Sequence, residues 1–248
     1  MKQIGFIHIP KTGGTYLSQY ETTNKPVMSG VKRLGHVYVL GNNAKEFVHP
    51  FGKKGYFLET ISKEELKNNY FVITVVRNPF TWLVSYYGHA AGFNPKYRNV
   101  KHYDYRAASK GFEYLLKTIA NREDKWPCRK MLFCQCWASD GELIVDYVFN
   151  QEKLAEQLKE FAGSHGLSFT DGENQRDGMV GKTNDDYFSY YNDELIGIVV
   201  KTWARDFILF GYDLVEMGRL RDYGALRGDE TKSHRSERYL WEGDRFEK

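Results

Sequence analysis

The chain has 248 residues, 42% of them hydrophobic, which is enough for the core of a single large α/β domain. Its formal net charge is only +3, so it lacks the strongly basic balance of a dedicated nucleic-acid binder, and no nucleic-acid partner is expected. The three cysteines, Cys128, Cys134 and Cys136, are an odd number without a convincing zinc spacing. They indicate reduced thiols rather than a disulfide framework or a metal site.

The first half of the chain begins with a short apolar strand at residues 4–9 (IGFIHI). The strongest strand signal is the β-branched run at residues 70–76 (YFVITVV). This run shows no alternation with polar residues, which indicates burial on both faces of a parallel sheet. After it, Asn78 suits a helix N-cap and Pro79 suits the first helical position, so a helix is predicted to run from there to Tyr87.

The second half is dominated by helical patterns. The clearest helix covers residues 192–210, with apolar side chains at helical spacing, an acidic first turn and Gly211 after its end. The other predicted elements are helices at 15–20, 62–66, 111–119 and 151–161, a strand at 143–149 and a polar loop at 164–183. Strands alternating with helices predict an α/β fold with a central, mainly parallel sheet flanked by helices.

One domain accounts for this order of elements. We expect it to span residues 1–213, and the charged residues 214–248 to form a peripheral or partly disordered tail. Residues 1–3 lead directly into the first strand, which is too short for a secretory signal, and no stretch approaches the ~20 apolar residues that cross a bilayer. The sequence therefore predicts a cytoplasmic protein with no membrane partner.

Residues 10–15 (PKTGGT), here called the Lys11 loop, join the first strand to the next predicted helix. Glycines let the backbone turn sharply and present several N–H groups to one point, and a helix N-terminus adds its dipole. Lys11 places a mobile positive charge beside a bound anion. The pattern is not Walker A, in which the lysine follows the glycines. The loop alone fits both a phosphate site and an ordinary strand–helix turn.

A second loop follows the strand at 70–76. Residues 77–87 (RNPFTWLVSYY) put Arg77 at the strand end and Ser85 about two turns into the next helix. A guanidinium fork and a hydroxyl both bind phosphate oxygens. The two loops together favour a ligand that carries phosphate groups at both ends of one nucleotide.

These two loops resemble those of sulfotransferases that use 3'-phosphoadenosine 5'-phosphosulfate (PAPS). Residues 6–15 (FIHIPKTGGT) resemble the 5'-phosphosulfate loop, most closely in the carbohydrate branch that includes heparan sulfate 2-O-sulfotransferase. Residues 77–87 resemble the 3'-phosphate motif R-[ND]-P-x-x-R-x-x-S-x-[YF], except that Trp82 stands where many members have a second arginine. Residues 190–212 are similar to the last core helix of the family, so the likeness spans residues 4–213.

The resemblance implies a P-loop-kinase-like sulfotransferase fold, PAPS as co-substrate, adenosine 3',5'-bisphosphate as product and no metal. Lys11 is implied to contact the sulfate and the bridging oxygen, which stabilises charge on the leaving phosphate. Lys182 is implied to lie in a late loop that closes over the nucleotide, although a surface lysine is more often simply solvated. The remaining implied nucleotide contacts are the backbone N–H groups of Thr12, Gly13, Gly14, Thr15 and Tyr16 for the 5'-phosphate, and the side chains of Arg77 and Ser85 for the 3'-phosphate.

An attacking hydroxyl has to lose a proton, and histidine is the commonest general base. His36, in the sequence Gly-His-Val, resembles the Gly-His that supplies the base in the carbohydrate branch; the alternative is an ordinary loop or strand histidine. His8 is expected to pack or hydrogen-bond locally. Glu59 is the next candidate base, followed by His49, His89 and His102.

The function that the resemblance implies is transfer of a sulfuryl group from PAPS to a hydroxyl, or less readily an amine, of a carbohydrate or small natural product. The aromatic and basic residues between positions 86 and 106 either line the acceptor cleft or form a surface insert. Two alternatives remain at this point. One is a nucleotide-dependent kinase on a related fold, and the other is a protein that binds a nucleotide or glycan without turnover.

Overall fold

The computed structural model describes residues 2–13, 17, 28–40, 60–91, 103–121, 132–138, 140–170 and 187–212. Its strands are β1 (Gln3–Ile7), β2 (Val31–Gly35), β3 (Tyr38–Leu40), β4 (Thr60–Ser62), β5 (Tyr70–Val76) and β6 (Tyr147–Asn150). Its helices are α1 (Lys63–Asn69), α2 (Pro79–Ala91), α3 (Tyr103–Ala108), α4 (Phe112–Ala120), α5 (Leu154–Ser164) and α6 (Asp193–Leu209). Short 3₁₀ turns cover Cys134–Cys136, Gln151–Lys153 and Tyr187–Tyr190.

The main sheet has four strands in the order β2-β1-β5-β6, and every neighbouring pair is parallel. The central strand β5 is buried over almost its whole length. Thr74 is fully buried within it and donates its hydroxyl hydrogen to the Ile7 carbonyl at 2.8 Å, which joins β5 to β1. The strands β3 and β4 form a separate parallel pair. The predicted single α/β domain with a central parallel sheet is confirmed.

Helices cover both faces of this sheet. Alternate residues of a strand point to opposite faces, and Ile73 and Val75 pack with Phe161 of α5 on one side. On the other side, Val76 belongs to the core that α2, α4 and α6 build; its fully buried members include Phe80, Leu116, Val199 and Phe207. The carboxyl ends of β1, β5 and β6 therefore lie together at one edge between two helical layers.

Helix starts follow the expected capping chemistry. Asn192 accepts a hydrogen bond from the Leu195 N–H at 2.9 Å, so the predicted helix at 192–210 is confirmed with Asn192 as its N-cap. Asn78 accepts from the Phe80 N–H at 3.0 Å at the start of α2. This helix continues to Ala91, beyond the predicted end at residue 87.

The strand assignments differ from the sequence analysis at β6 and at β2, β3 and β4, which it does not predict. The strand predicted at 143–149 begins only at Tyr147, because the Asp146 carboxylate accepts a hydrogen bond from the Val72 N–H at 2.7 Å and takes the place of a ladder carbonyl. The edge strand β2 was not predicted, since Lys32 and Arg33 are exposed and interrupt any apolar pattern.

Some predictions lie outside the described residues. These are the helix at 15–20 apart from residue 17, the loop from residue 171 onward and the tail at 214–248. Among the helices that are described, none combines the length and the apolar character that crossing a membrane would require.

Candidate active site

The Lys11 loop begins at the carboxyl end of β1, and the structure describes its residues 10–13. Lys11 and Gly13 both have positive φ angles, 66° and 94°. Thr12 is fully buried and donates to the Ile9 carbonyl at 2.8 Å, which closes the turn. A Cβ at position 13 would lie 3.1 Å from Leu154 Cδ2, and this close approach of the loop to α5, together with the positive φ angle, favours glycine there.

Arg77 lies at the end of the neighbouring strand and contacts the Lys11 loop. Its Nη1 donates to the Lys11 carbonyl at 3.4 Å, and its Nε donates to Thr81 Oγ1 at 2.9 Å. Burial and the Arg77 charge both lower the pKa of Lys11. Among the described residues the Lys11 ammonium has no ion-pair partner, so two cations share one half-buried region that favours an anion.

Helix α2 carries further groups toward this region. Trp82 donates its indole N–H to the Pro10 carbonyl at 2.8 Å, which ties the helix to the Lys11 loop. Ser85 is half-buried and lies one turn beyond Thr81, on the side of α2 that contacts Arg77. By helical spacing, Ser85 and Thr81, the partner of Arg77, therefore lie on the same side of α2.

A histidine pair follows the neighbouring strands β1 and β2. The rings of His8 and His36 stack with centroids 4.4 Å apart, and His36 Nδ1 is hydrogen-bonded to the His8 carbonyl. A carbonyl only accepts, so Nδ1 of His36 carries the hydrogen and Nε2 presents a lone pair. Burial lowers the pKa of His36, although the bond to His8 opposes that shift, and the ring is neutral at pH 7.

His8 itself packs and hydrogen-bonds locally, as the sequence analysis expects. Its Nδ1 lies 3.1 Å from a terminal nitrogen of Arg33 and accepts a hydrogen bond from it. Burial, followed by the His36 and Arg33 charges, lowers the pKa of His8 to about 3. His8 is therefore neutral at pH 7 and supports His36 rather than carrying a proton.

A second imidazole reaches the region from α2. His89 lies one turn beyond Ser85 on that helix. Burial and then the charge of Lys11 lower its pKa to about 4. His89 is therefore a neutral ring on the side of α2 that faces Lys11. The sequence analysis places it among the last candidate bases and does not predict this proximity.

Glu152 is a member of this region that the sequence analysis missed. Its carboxylate accepts from the Asn78 N–H at 2.8 Å and from the Tyr212 hydroxyl at 2.9 Å, which joins the start of α2 to the chain after α6. The Glu152 charge also opposes the lowering of the Arg77 pKa by burial. The sequence feature that could have indicated Glu152 is its position after a strand: it follows β6, which pairs in parallel with β5, and so lies at the same edge of the sheet as Arg77.

The remaining predicted site residues lie outside the described part of the chain, and their placement stays a prediction. They are Gly14, Thr15, Tyr16 and Lys182, together with the candidate bases Glu59, His49 and His102. Within the described part, no group of His, Cys, Asp and Glu side chains could hold a metal ion.

A parallel sheet whose carboxyl edge carries a cationic, glycine-containing loop is an α/β arrangement suited to an anionic ligand at that edge. The chain belongs to the sulfotransferase family, because the model of that family matches residues 2–213. It is therefore a transferase that moves a sulfuryl group. No curated protein and no solved structure matches the chain significantly.

Proposed function

We propose that the protein transfers the sulfuryl group of PAPS to a hydroxyl group, less readily to an amine, and releases adenosine 3',5'-bisphosphate. The observation that carries this proposal is the contact between the two cationic loop ends, in which Arg77 donates to the Lys11 carbonyl. A nucleotide with a phosphosulfate at one end and a phosphate at the other needs two such anion sites side by side. We assign this activity to residues 1–213, with 214–248 as a peripheral tail.

The donor contacts follow from the two loops. The Lys11 ammonium, unpaired among the described residues, binds the sulfate and the bridging oxygen of the phosphosulfate. The backbone N–H groups of residues 12–16 bind the 5'-phosphate. Arg77 and Ser85 bind the 3'-phosphate, and Lys182 closes over the nucleotide.

The transfer step balances with these groups. The acceptor oxygen attacks sulfur in line, the bond between sulfur and the bridging oxygen breaks, and that oxygen leaves with the electron pair on adenosine 3',5'-bisphosphate. Lys11 stabilises the charge that develops on the leaving phosphate. The acceptor proton passes to His36 Nε2, which the Nδ1 bond to His8 leaves as the accepting nitrogen.

For the acceptor we propose a carbohydrate hydroxyl, on the resemblance of the Lys11 loop and the Gly-His pair to the heparan sulfate 2-O-sulfotransferase branch; a small natural product is the alternative. Two of the aromatic residues between 86 and 106 serve packing instead. Tyr86 stacks on Trp82, and Tyr87 packs edge-to-face on Phe112. We therefore assign the acceptor contacts to other residues between positions 86 and 106.

Labelled PAPS incubated with a panel of sugars, glycosaminoglycan fragments and phenols tests the reaction. We expect label on at least one acceptor and adenosine 3',5'-bisphosphate in equal amount, both strongly reduced in Lys11→Ala and reduced in His36→Ala. Full transfer by Lys11→Ala would contradict the role of Lys11.

Thermal unfolding tests the donor independently of any acceptor. Adenosine 3',5'-bisphosphate should raise the melting temperature of the protein, whereas ATP with magnesium should not. Protection by ATP with magnesium alone would contradict PAPS as the donor and would favour a kinase.

A further inference from the structure

Lys11 is held in a backbone conformation that side-chain-bearing residues rarely adopt. Its φ angle of 66° lies in the left-handed region, and it is the only non-glycine residue with a positive φ among those described. Such a conformation persists only where surrounding contacts determine it. The contacts that hold Lys11 in place are therefore part of the machinery that aims its ammonium.

Two side chains from the segment after β5 hold the peptide groups on either side of Lys11. Trp82 Nε1 donates to the Pro10 carbonyl at 2.8 Å, and Arg77 Nη1 donates to the Lys11 carbonyl at 3.4 Å. The Trp82 bond is the shorter of the two. It fixes the peptide plane that enters Lys11, and that plane sets the φ angle.

Trp82 is itself held firmly. Its side chain is buried and lies flat on the Tyr86 ring, with centroids 5.0 Å apart and an angle of 8° between the planes. The Tyr86 hydroxyl donates to the Asp104 carboxylate at 2.6 Å, and Asp104 is 2% exposed. A continuous chain of contacts thus runs from α3 through α2 to the Lys11 loop.

We propose that Trp82 is a positioning residue for sulfuryl transfer, which aims the Lys11 ammonium by holding the Pro10 carbonyl. The inference rests on the proposed role of Lys11. It also gives a role to Trp82 at the position where the 3'-phosphate motif of many family members has a second arginine. In this chain the side chain at that position contacts the Lys11 loop. Without the indole N–H, the Pro10–Lys11 peptide relaxes and Lys11 Nζ moves away from the bridging oxygen.

The direct test replaces Trp82 with Phe, which keeps an aromatic ring on Tyr86 and removes the N–H. Because displacement of a catalytic group by about 1 Å costs up to about 100-fold in rate, we expect kcat to fall by about 10-fold to 100-fold. The KM for PAPS and the affinity for adenosine 3',5'-bisphosphate should change less than kcat. A variant with unchanged kcat, or with a loss in affinity alone, would overturn the proposal.

Trp137→Phe is the matched control. Trp137 is buried in the same core as Trp82, but its indole N–H has no hydrogen-bond acceptor among the described residues. The same substitution there should leave kcat close to that of the parent protein. Equal kcat losses in both variants would show that removal of core volume, and not the Pro10 contact, is responsible.

A double-mutant cycle with Lys11→Ala separates positioning from general support. If Trp82 acts through Lys11, Trp82→Phe lowers the residual rate of Lys11→Ala no further. An equal fold-loss in both backgrounds overturns the positioning role but leaves the proposed function intact. Full activity of Lys11→Ala alone would instead remove the proposed role of Lys11, and with it the basis of this inference.

An isosteric replacement at position 82 serves as a control for any effect of Trp82→Phe on folding. Benzothienylalanine at position 82 retains the shape of the bicyclic ring and replaces only the N–H with sulfur. We expect it to unfold at nearly the parent temperature and to show the same kcat loss as Trp82→Phe. A folded protein with benzothienylalanine at position 82 and parent kcat would overturn the proposal, whether or not Trp82→Phe folds.

Discussion

Lys11 combines a strained backbone with a partly desolvated ammonium. A left-handed conformation costs a residue with a side chain about 1–2 kcal/mol, which glycine does not incur. Burial and the nearby Arg77 charge also lower its pKa. Backbone strain and desolvation thus both fall on Lys11, the residue proposed to contact the reacting sulfate. Strained residues cluster at functional sites, and this position agrees with that pattern.

Comparison of Lys11→Gly with Lys11→Ala tests this strain. Both variants should lose about 10²–10³-fold in kcat, because both lack the ammonium. In urea denaturation, Lys11→Gly should be more stable than Lys11→Ala by about 1 kcal/mol, because glycine adopts the positive φ angle at no steric cost. Equal stability of the two variants would show that the conformation is not strained in solution.

The proposed base gives a pH dependence of definite sign. His36 accepts a proton only when neutral, so kcat/KM should rise with pH through the pKa of His36 and then level off. Because burial lowers that pKa from 6.5, the midpoint of the rise should lie below pH 6.5. The rise should vanish in His36→Gln.

His89 is the matched control for this profile, because its ring is also neutral at pH 7. Its pKa of about 4 places any contribution at the acidic end of the range. His89→Gln should keep the rise seen in the parent protein. A rise that survives in His36→Gln and disappears in His89→Gln would show that His89, and not His36, is the base.

At the level of elements, the segment from β5 to α2 forms most of the described site, and the sequence predicts it well. An unbroken β-branched run has one favourable environment, a strand buried on both faces, and Asn78-Pro79 starts the helix. The sequence predicts such elements because the residues that determine each of them are neighbours in the chain.

Other parts of the site depend on contacts between residues distant in the chain. Glu152 joins the site through Asn78, 74 positions away, and Tyr212, 60 positions away. Nothing in its own surroundings distinguishes it from an ordinary surface glutamate before the sheet order is known. The edge strand β2 escaped prediction for a related reason, because its pairing with β1 outweighs its polar sequence.

Packing of the Lys11 loop against α5 is tested at Gly13. An alanine there needs a positive φ angle and places its Cβ 3.1 Å from Leu154 and 3.2 Å from Gln151. We expect Gly13→Ala to lower the free energy of unfolding by about 1–3 kcal/mol and to reduce kcat.

Gly163 in α5 provides the control, because its Cβ would meet no atom within 4 Å. Gly163→Ala should raise stability by up to about 1 kcal/mol, since alanine is the better helix former, and should leave kcat unchanged. Similar stability losses in the two alanine variants would contradict the close approach at Gly13.

For the whole molecule, Asp206 links folding to pH. This fully buried carboxyl in α6 accepts from the backbone N–H groups of Leu132 and Phe133, and burial raises its pKa to about 7. Between pH 7 and 3.8 the folded state holds a proton that the unfolded state has released. This group therefore adds stability as the pH falls through that window.

Asp206→Asn removes this contribution. The stability of the parent protein relative to Asp206→Asn should increase as the pH is lowered from 7 to 5, by at most about 1.4 kcal/mol per pH unit. His8, with a pKa lowered to about 3, acts in the opposite direction, but its contribution is common to both proteins and cancels. Denaturant curves at pH 5, 6 and 7 measure the difference, and a constant difference would contradict the buried carboxyl.

The most direct test of the central claim, two adjacent phosphate sites that hold one nucleotide, is a calorimetric comparison of adenosine 3',5'-bisphosphate with adenosine 5'-phosphate at fixed ionic strength. We predict that the bisphosphate binds at least about 10-fold more tightly and that Arg77→Ala abolishes most of this difference. Lys159→Ala, which removes a charge from an exposed position on α5, should preserve it. Equal affinities of the parent protein for the two nucleotides would contradict the account.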